Sequence, residues 1–269
     1  MNDGQADLGA EIAAVFDRAA PHYDQALPLF HDLAAELVAW HPPRRGERVL
    51  DLCTGGGACL CALTATSHAG RLLGIDLSGG MLARARKSLP GGVLVLQADA
   101  HRLPFADGSF DSYYCALSWQ FLMRPELVLA ELRRTGHKRA GLTFSLLGRS
   151  RHTGHFMNKV LLDFLGPRQP RFASALQALW RRPAEVTLAA AGWRVRARGE
   201  ITRRYDFGGA RQWLTWQLSQ VGRGFFDLVP DDRKAGFYAR LLEEAERTCV
   251  TDGLWLEQTV TLLHAEPAR

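Results

Sequence analysis

Apolar positions recur at three- and four-residue spacing across residues 8–20 and 27–40, the periodicity of amphipathic helices, and Pro21 separates the two. Behind them the pattern changes. RVLDLC (48–53), RLLGID (71–76), VLVLQAD (93–99) and FDSYYCAL (110–117) are short, continuous apolar runs. They are too unbroken for half-exposed strands, which predicts parallel strands buried on both faces. Helix-like segments at 58–66, 80–89 and 125–134 fall between them, so strand and helix alternate in the order of a doubly wound α/β sheet.

A fifth strand is expected at 140–147. Beyond it, helical segments at 154–165, 172–181 and 183–191 lead into period-two alternation over 193–207. Helices near 209–221 and 231–248 and a last strand at 254–264 complete the chain. No repeat, low-complexity tract or linker interrupts it. We therefore read residues 1–269 as a single domain, with N-terminal helices over 1–45, a core over 46–147, and helical substrate or lid segments over 148–192 and 208–252.

With 269 residues, 47% of them hydrophobic and 23% charged, the chain is long enough to bury its own core. No window approaches the ~18 uninterrupted apolar residues of a membrane helix, and the acidic start MNDGQADLGAE carries no signal-like apolar run. A soluble, cytoplasmic protein is the expectation. Five cysteines (Cys53, Cys59, Cys61, Cys115 and Cys249) form no CxxC pair, which argues for reduced thiols and against a disulfide framework or a zinc site. The net charge of +5 comes almost wholly from arginine, since Lys87, Lys138, Lys159 and Lys234 are the only lysines. No basic run marks a nucleic-acid patch, so nucleic acid is disfavoured as a partner.

The stretch Val49 to Leu60, VLDLCTGGGACL, runs from a strand through three glycines into a helix. Such a turn suits an anionic or polar group, because the first helical N–H donors are free and the helix dipole is positive there. A Walker A loop needs Gly-Lys-Ser/Thr, and Ala58-Cys59-Leu60 follows instead. The dinucleotide pattern GxGxxG fits Gly55 and Gly57 but meets Leu60 at its third position. A nucleoside without a pyrophosphate remains: Asp76 ends the second strand, placed to accept both ribose hydroxyls, and Asp99 ends the third, placed to accept from a purine amine. Asp76 as a plain helix cap, and Met81 and Tyr23 as core packing, are the competing readings.

The series VLDLCTGGGACL, GIDLSGGML, QADAHRLPFADGSFD and SYYCALSWQFL, with FDRAAPHYD before it, resembles the motif set of the class I S-adenosylmethionine (SAM)-dependent methyltransferases, especially bacterial small-molecule enzymes. The resemblance implies a Rossmann-like, doubly wound, seven-stranded, mostly parallel sheet with an antiparallel last strand, N-terminal helices and a helical lid insertion. It implies SAM as cofactor, S-adenosylhomocysteine (SAH) as product, and no metal. Asp51 and the Cys53-Thr54-Gly55-Gly57 turn would hold the methionyl end, with Tyr23 at its carboxylate and Ala116, Leu117 and Ser118 at its ammonium group. Asp76 would bind the ribose, Leu77 and Met81 the adenine faces, and Asp99 with Ala100 the adenine edge. Cys53 departs from the family, which has glycine there.

Methyl transfer from a sulfonium needs positioning more than it needs a base. The base candidates are His152 and His155, which share a face if that stretch is helical, with Tyr205 weaker and His101 nearer the cofactor. Trp213, Trp216 and Gln217, preceded by Arg211, would form one face of a lid helix over an apolar or aromatic acceptor, with core packing as the competing reading of the tryptophans. Trp119 is expected beside the reacting methyl. The overall expectation is a methyltransferase acting at oxygen, nitrogen or carbon of a small molecule, in secondary metabolism as one setting. A SAM-binding scaffold without transfer, an RNA methyltransferase and a lipid-quinone acceptor are the alternatives, and a homodimer is one assembly left open.

Overall fold

The computed structural model describes residues 3–66, 70–165, 183–220 and 223–268. The helical segment expected at 172–181 lies outside them. Two helices lead the chain, α1 (Asp3–Ala19) and α2 (Leu29–Trp40). The alternation that follows is β1 (Arg48–Leu52), α3 (Ala58–Ala65), β2 (Arg71–Asp76), α4 (Gly79–Ser88), β3 (Leu94–Gln97), β4 (Phe110–Cys115), α5 (Pro125–Thr135) and β5 (Gly136–His152). Then come α6 (Phe156–Leu165), α7 (Ala184–Ala190), β6 (Trp193–Asp206), α8 (Ala210–Leu218), α9 (Arg223–Phe226), α10 (Asp231–Thr251) and β7 (Trp255–Pro267).

The seven strands form one sheet in the order β3-β2-β1-β4-β5-β7-β6. β1 through β5 pair in parallel, and β7 runs antiparallel between β5 and β6. The order reverses between β1 and β4, so a crevice opens beyond their carboxyl ends, where open α/β sheets take ligands. Alternation along β1 sends Val49 to one face and Leu50 and Leu52 to the other. The Val49 face packs against α2, α3, α8 and α10 through Leu33, Leu37, Leu60, Trp213 and Phe237; the Leu50 face packs against α5 through Val128, Leu129 and Leu132.

Two strands differ from the sequence expectation. The apolar run VLVLQAD predicts a strand buried on both faces, yet β3 is the sheet edge, with Leu94 at 67% and Leu96 at 41% exposure. The apolar run reports its composition and not its place in the order. The fifth strand continues past 147 through polar Gly148–His152, which pairs with Leu256 to Gln258 of β7 beyond a register shift. His152 is therefore a strand residue and not part of a helix shared with His155. This overshooting β5–β7 ribbon forms a wall beyond the crevice.

Candidate active site at the sheet reversal

The glycine turn is shaped by three left-handed residues, Cys53 (φ 52°), Gly55 (φ 54°) and Gly57 (φ 89°), the last of which is the N-cap of α3. An L side chain at such a φ costs roughly 1–2 kcal/mol, so Cys53 carries the strain that a glycine avoids. Thr54 N–H donates to the Ile75 carbonyl at 2.8 Å, and its hydroxyl donates to Asp51 Oδ2 at 2.5 Å. Asp76 ties the turn to the next strand: Oδ2 accepts from Gly55 N–H at 2.8 Å and Oδ1 from Ser78 N–H at 2.9 Å. Each oxygen keeps a lone pair for a further donor. Burial raises the Asp76 pKa.

Leu60 is accommodated by a glycine on the neighbouring strand. A Cβ at Gly74 would lie 2.7 Å from Leu60 Cδ1 and 2.8 Å from Thr54 Oγ1. The close approach of helix and strand that GxGxxG gains from its third glycine is gained here from Gly74 on β2.

These groups open into a cavity of about 230 Å³. Asp51, Cys53, Thr54 and Gly55 form its floor; Asp76, Leu77 and Met81 one side; Ala100 and His101 an edge; and Ala116, Leu117 and Ser118 the far side. Ile12 and Phe16 of α1, with Tyr23, Asp24 and Phe30 after it, close the remaining side. Asp17 fastens that closure, its Oδ1 accepting from the Ser78 hydroxyl at 2.5 Å and from Gly80 N–H at 2.8 Å at the start of α4. Gly57 is not in the wall. Neither is Asp99, whose carboxylate accepts from His101 N–H at 2.9 Å and pairs with its ring Nδ1 at 2.6 Å.

The cavity wants donors. Asp51 Oδ1, Asp24 Oδ1 and Gln120 Oε1 are buried without a hydrogen-bond partner among the described residues, and all three residues line it. Unpartnered buried acceptors are costly unless a ligand supplies the donor. Burial pushes the carboxyls of Asp51 and Asp24 up to about 7. The non-glycine residues at positive φ among those described are Asp24, Cys53 and Leu117, and each lines the same cavity, the placement expected of strain held at a functional site. Sequence reading missed Asp24, Gln120 and Arg84. Arg84 follows Met81 by three residues on α4 and so shares its face; that spacing was the available signal.

A second cavity of about 280 Å³ adjoins the first, and Phe30, Leu147 and Gln220 line both. It gathers His152, Trp213, Trp216 and Gln217 from distant parts of the sequence. Tyr23 stacks on Phe30 (4.8 Å between centroids) and Phe30 on Trp216 (5.6 Å), a continuous aromatic wall from one cavity to the other. Four other candidates lie elsewhere. Trp119 is buried against Phe144 at 4.5 Å, because the chain after β4 turns into the core. Tyr205 is buried and lines neither cavity, and burial raises its pKa. His155 is exposed with its ring 5.1 Å from that of His152, and Arg211 is exposed. Among the described residues no group of three or more His, Cys, Asp or Glu is gathered to hold a metal ion.

A doubly wound sheet with a glycine turn after β1 and a carboxylate ending β2 places a ligand-sized cavity at the sheet reversal. Residues 50–142 match the family model described as methyltransferase domain. The chain is 33% identical over 154 residues to a malonyl-[acyl-carrier protein] O-methyltransferase of Laribacter hongkongensis, covering 52% of this chain and 51% of that one. It is 30% identical over 174 residues to a demethylmenaquinone methyltransferase of Thermotoga maritima, covering 62% of this chain and 67% of that one. A crystal structure of a putative methyltransferase from Bacillus halodurans superposes with a TM-score of 0.53 at 18% identity, over 88% of this chain and 99% of that one, which shows the shared fold. The chain spans about half the length of several curated relatives it matches. It belongs to the class I SAM-dependent methyltransferase family.

Proposed function

We propose that this protein transfers a methyl group from SAM to a small-molecule acceptor, with SAM in the first cavity and the acceptor in the second. The observation that carries this reading is the set of unpartnered acceptors Asp51 Oδ1, Asp24 Oδ1 and Gln120 Oε1 around a glycine turn, beside a second cavity that shares its wall. SAM fits the first cavity chemically: it brings an ammonium group, ribose hydroxyls and an exocyclic amine, all donors, and when bound supplies an activated sulfonium methyl. Asp51 accepts from the ammonium group, Asp76 from the ribose, and Met81 and Leu77 pack on the adenine. Arg84, with no ion-pair partner among the described residues, reaches over Gly56 and is suited to the carboxylate.

The chain's contribution is then positioning. Aligning acceptor and methyl in a pre-formed site is worth about 7–11 kcal/mol of barrier, and the aromatic wall of Tyr23, Phe30 and Trp216 keeps water from the line of transfer. The relatives are named for different acceptors, malonyl-[acyl-carrier protein] and demethylmenaquinone, so they support the reaction class without supplying the acceptor. Titration calorimetry with SAH tests the reading. Binding by the wild type that is lost in Asp76→Ala is the expected result; no binding, or binding indifferent to Asp76, overturns it.

A further inference from the structure

The two cavities differ in charge. The first is walled by Asp24, Asp51, Asp76 and Arg84, whereas among the described residues no Asp, Glu, Lys or Arg lines the second. The second is aromatic and aliphatic, with Phe30, Phe207, Trp213, Trp216 and Leu256 among its walls. Its volume is about 280 Å³, roughly twice the ~150 Å³ apolar cavity that takes one benzene ring. An anionic acceptor would lie there without a counter-charge and an ammonium without a carboxylate, and burying either unpaired is costly.

Three of the polar groups lining the cavity, His152, Gln220 and Gln258, have hydrogen bonds that constrain what they offer. Gly154 N–H donates to His152 Nδ1 at 3.1 Å, so Nδ1 holds a lone pair and the neutral ring carries its proton on Nε2. His152 then faces a ligand as a donor, where the sequence suggested a base. Burial and the neighbouring His155 lower its pKa, which keeps the ring neutral. Gln258 Nε2 donates to the Thr259 carbonyl at 2.7 Å and Gln220 Nε2 to the Ser219 hydroxyl at 3.0 Å, which leaves each a carbonyl oxygen and one further N–H.

We infer that the second cavity takes an uncharged, planar compound of one or two rings bearing an acceptor oxygen, packed against the wall formed by Phe30 and Trp216 with that oxygen on His152 Nε2–H. This deepens the proposed function and rests on it for the identity of the compound as methyl acceptor. His152 is a positioning residue in this account, and no proton passes through it.

The test uses the full chain and three probes on one skeleton: 2-acetylnaphthalene, 2-naphthoate and 2-(aminomethyl)naphthalene, titrated calorimetrically with SAH present, and SAH itself titrated separately. The neutral ketone binds at least tenfold more tightly than the acid or the amine. Met157→Trp, which fills the cavity from a half-buried position outside the first cavity, weakens the ketone at least tenfold and leaves the SAH affinity within about threefold. His152→Phe, which keeps the ring and removes the donor, weakens the ketone about fivefold. No ketone binding, equal binding of the acid or the amine, or ketone binding unaffected by Met157→Trp overturns the inference. Failure of SAH to bind while the ketone behaves as stated strikes the proposed function and leaves the cavity chemistry standing; that arm is read without SAH.

Discussion

Gly55 N–H donates to Asp76 Oδ2 at 2.8 Å, joining the turn after the first strand to the carboxylate that ends the second. Asp76 thereby both shapes the glycine turn and offers its remaining lone pairs to the cavity. Asp76→Asn places an NH2 against Gly55 N–H or Ser78 N–H, so one backbone donor loses its partner. We expect it to cost about 1–3 kcal/mol of stability and to weaken SAH at least tenfold, read by urea unfolding and calorimetry on the same preparation.

The raised carboxyls set a pH dependence. Asp51 and Asp24 are pushed from an ordinary 3.8 up to about 7, chiefly by burial. Between pH ~4 and ~7 the unfolded chain has released protons that the folded protein retains, so the stability of the ligand-free protein falls as pH rises through that window. A cation beside Asp51 Oδ1 favours the ionised form. SAH binding should then release a proton and tighten about tenfold from pH 6 to pH 8. Calorimetry in buffers of different ionisation enthalpy measures the proton count, and Asp51→Asn should lower it.

At the first cavity the N-terminal helix is tied to α4 by Asp17, bonded to Ser78 and Gly80, while Arg18 pairs with Asp227 on its other side. The charge of Asp17 also lies at the positive end of α4. Asp17→Ala is expected to cost about 1 kcal/mol and to speed SAH dissociation several-fold, in stopped-flow displacement, because Ile12 and Phe16 lose their anchorage. An unchanged dissociation rate would show that packing and the Arg18–Asp227 pair hold the helix without Asp17.

Gly74 leaves room for Leu60, so Gly74→Ala is expected to destabilise by about 1–3 kcal/mol. The cost of combining it with Leu60→Ala should fall below the sum of the two single costs, since the Leu60 part of the clash is gone while that with Thr54 remains. Thermal or urea unfolding of the four proteins gives the coupling directly.

Much of this architecture was legible in the chain. The strand and helix order from residue 48 to 147 follows from alternating apolar runs and helical periodicity, and the glycine turn with Asp51 and Asp76 follows from short-range spacing. Trp119 was not legible: a residue just past a strand end can turn to the crevice or to the core, and only the packing against Phe144 chooses. Nor was the setting of His152, because its lone-pair direction depends on Gly154 N–H and its strand on pairing with Leu256.

The sequence by itself determined the local chemistry: where the backbone bends, which strand ends carry carboxylates, and that arginine supplies the charge. Only the tertiary structure decided what those groups face. Strand order places β3 at an edge, the overshoot of β5 and β7 builds a second cavity, and Phe30 of one helix and Trp216 of another, 186 positions later, become one wall. Side-chain periodicity is set by neighbours a few residues away, whereas cavities are set by contacts between segments whose separation along the chain leaves no local imprint.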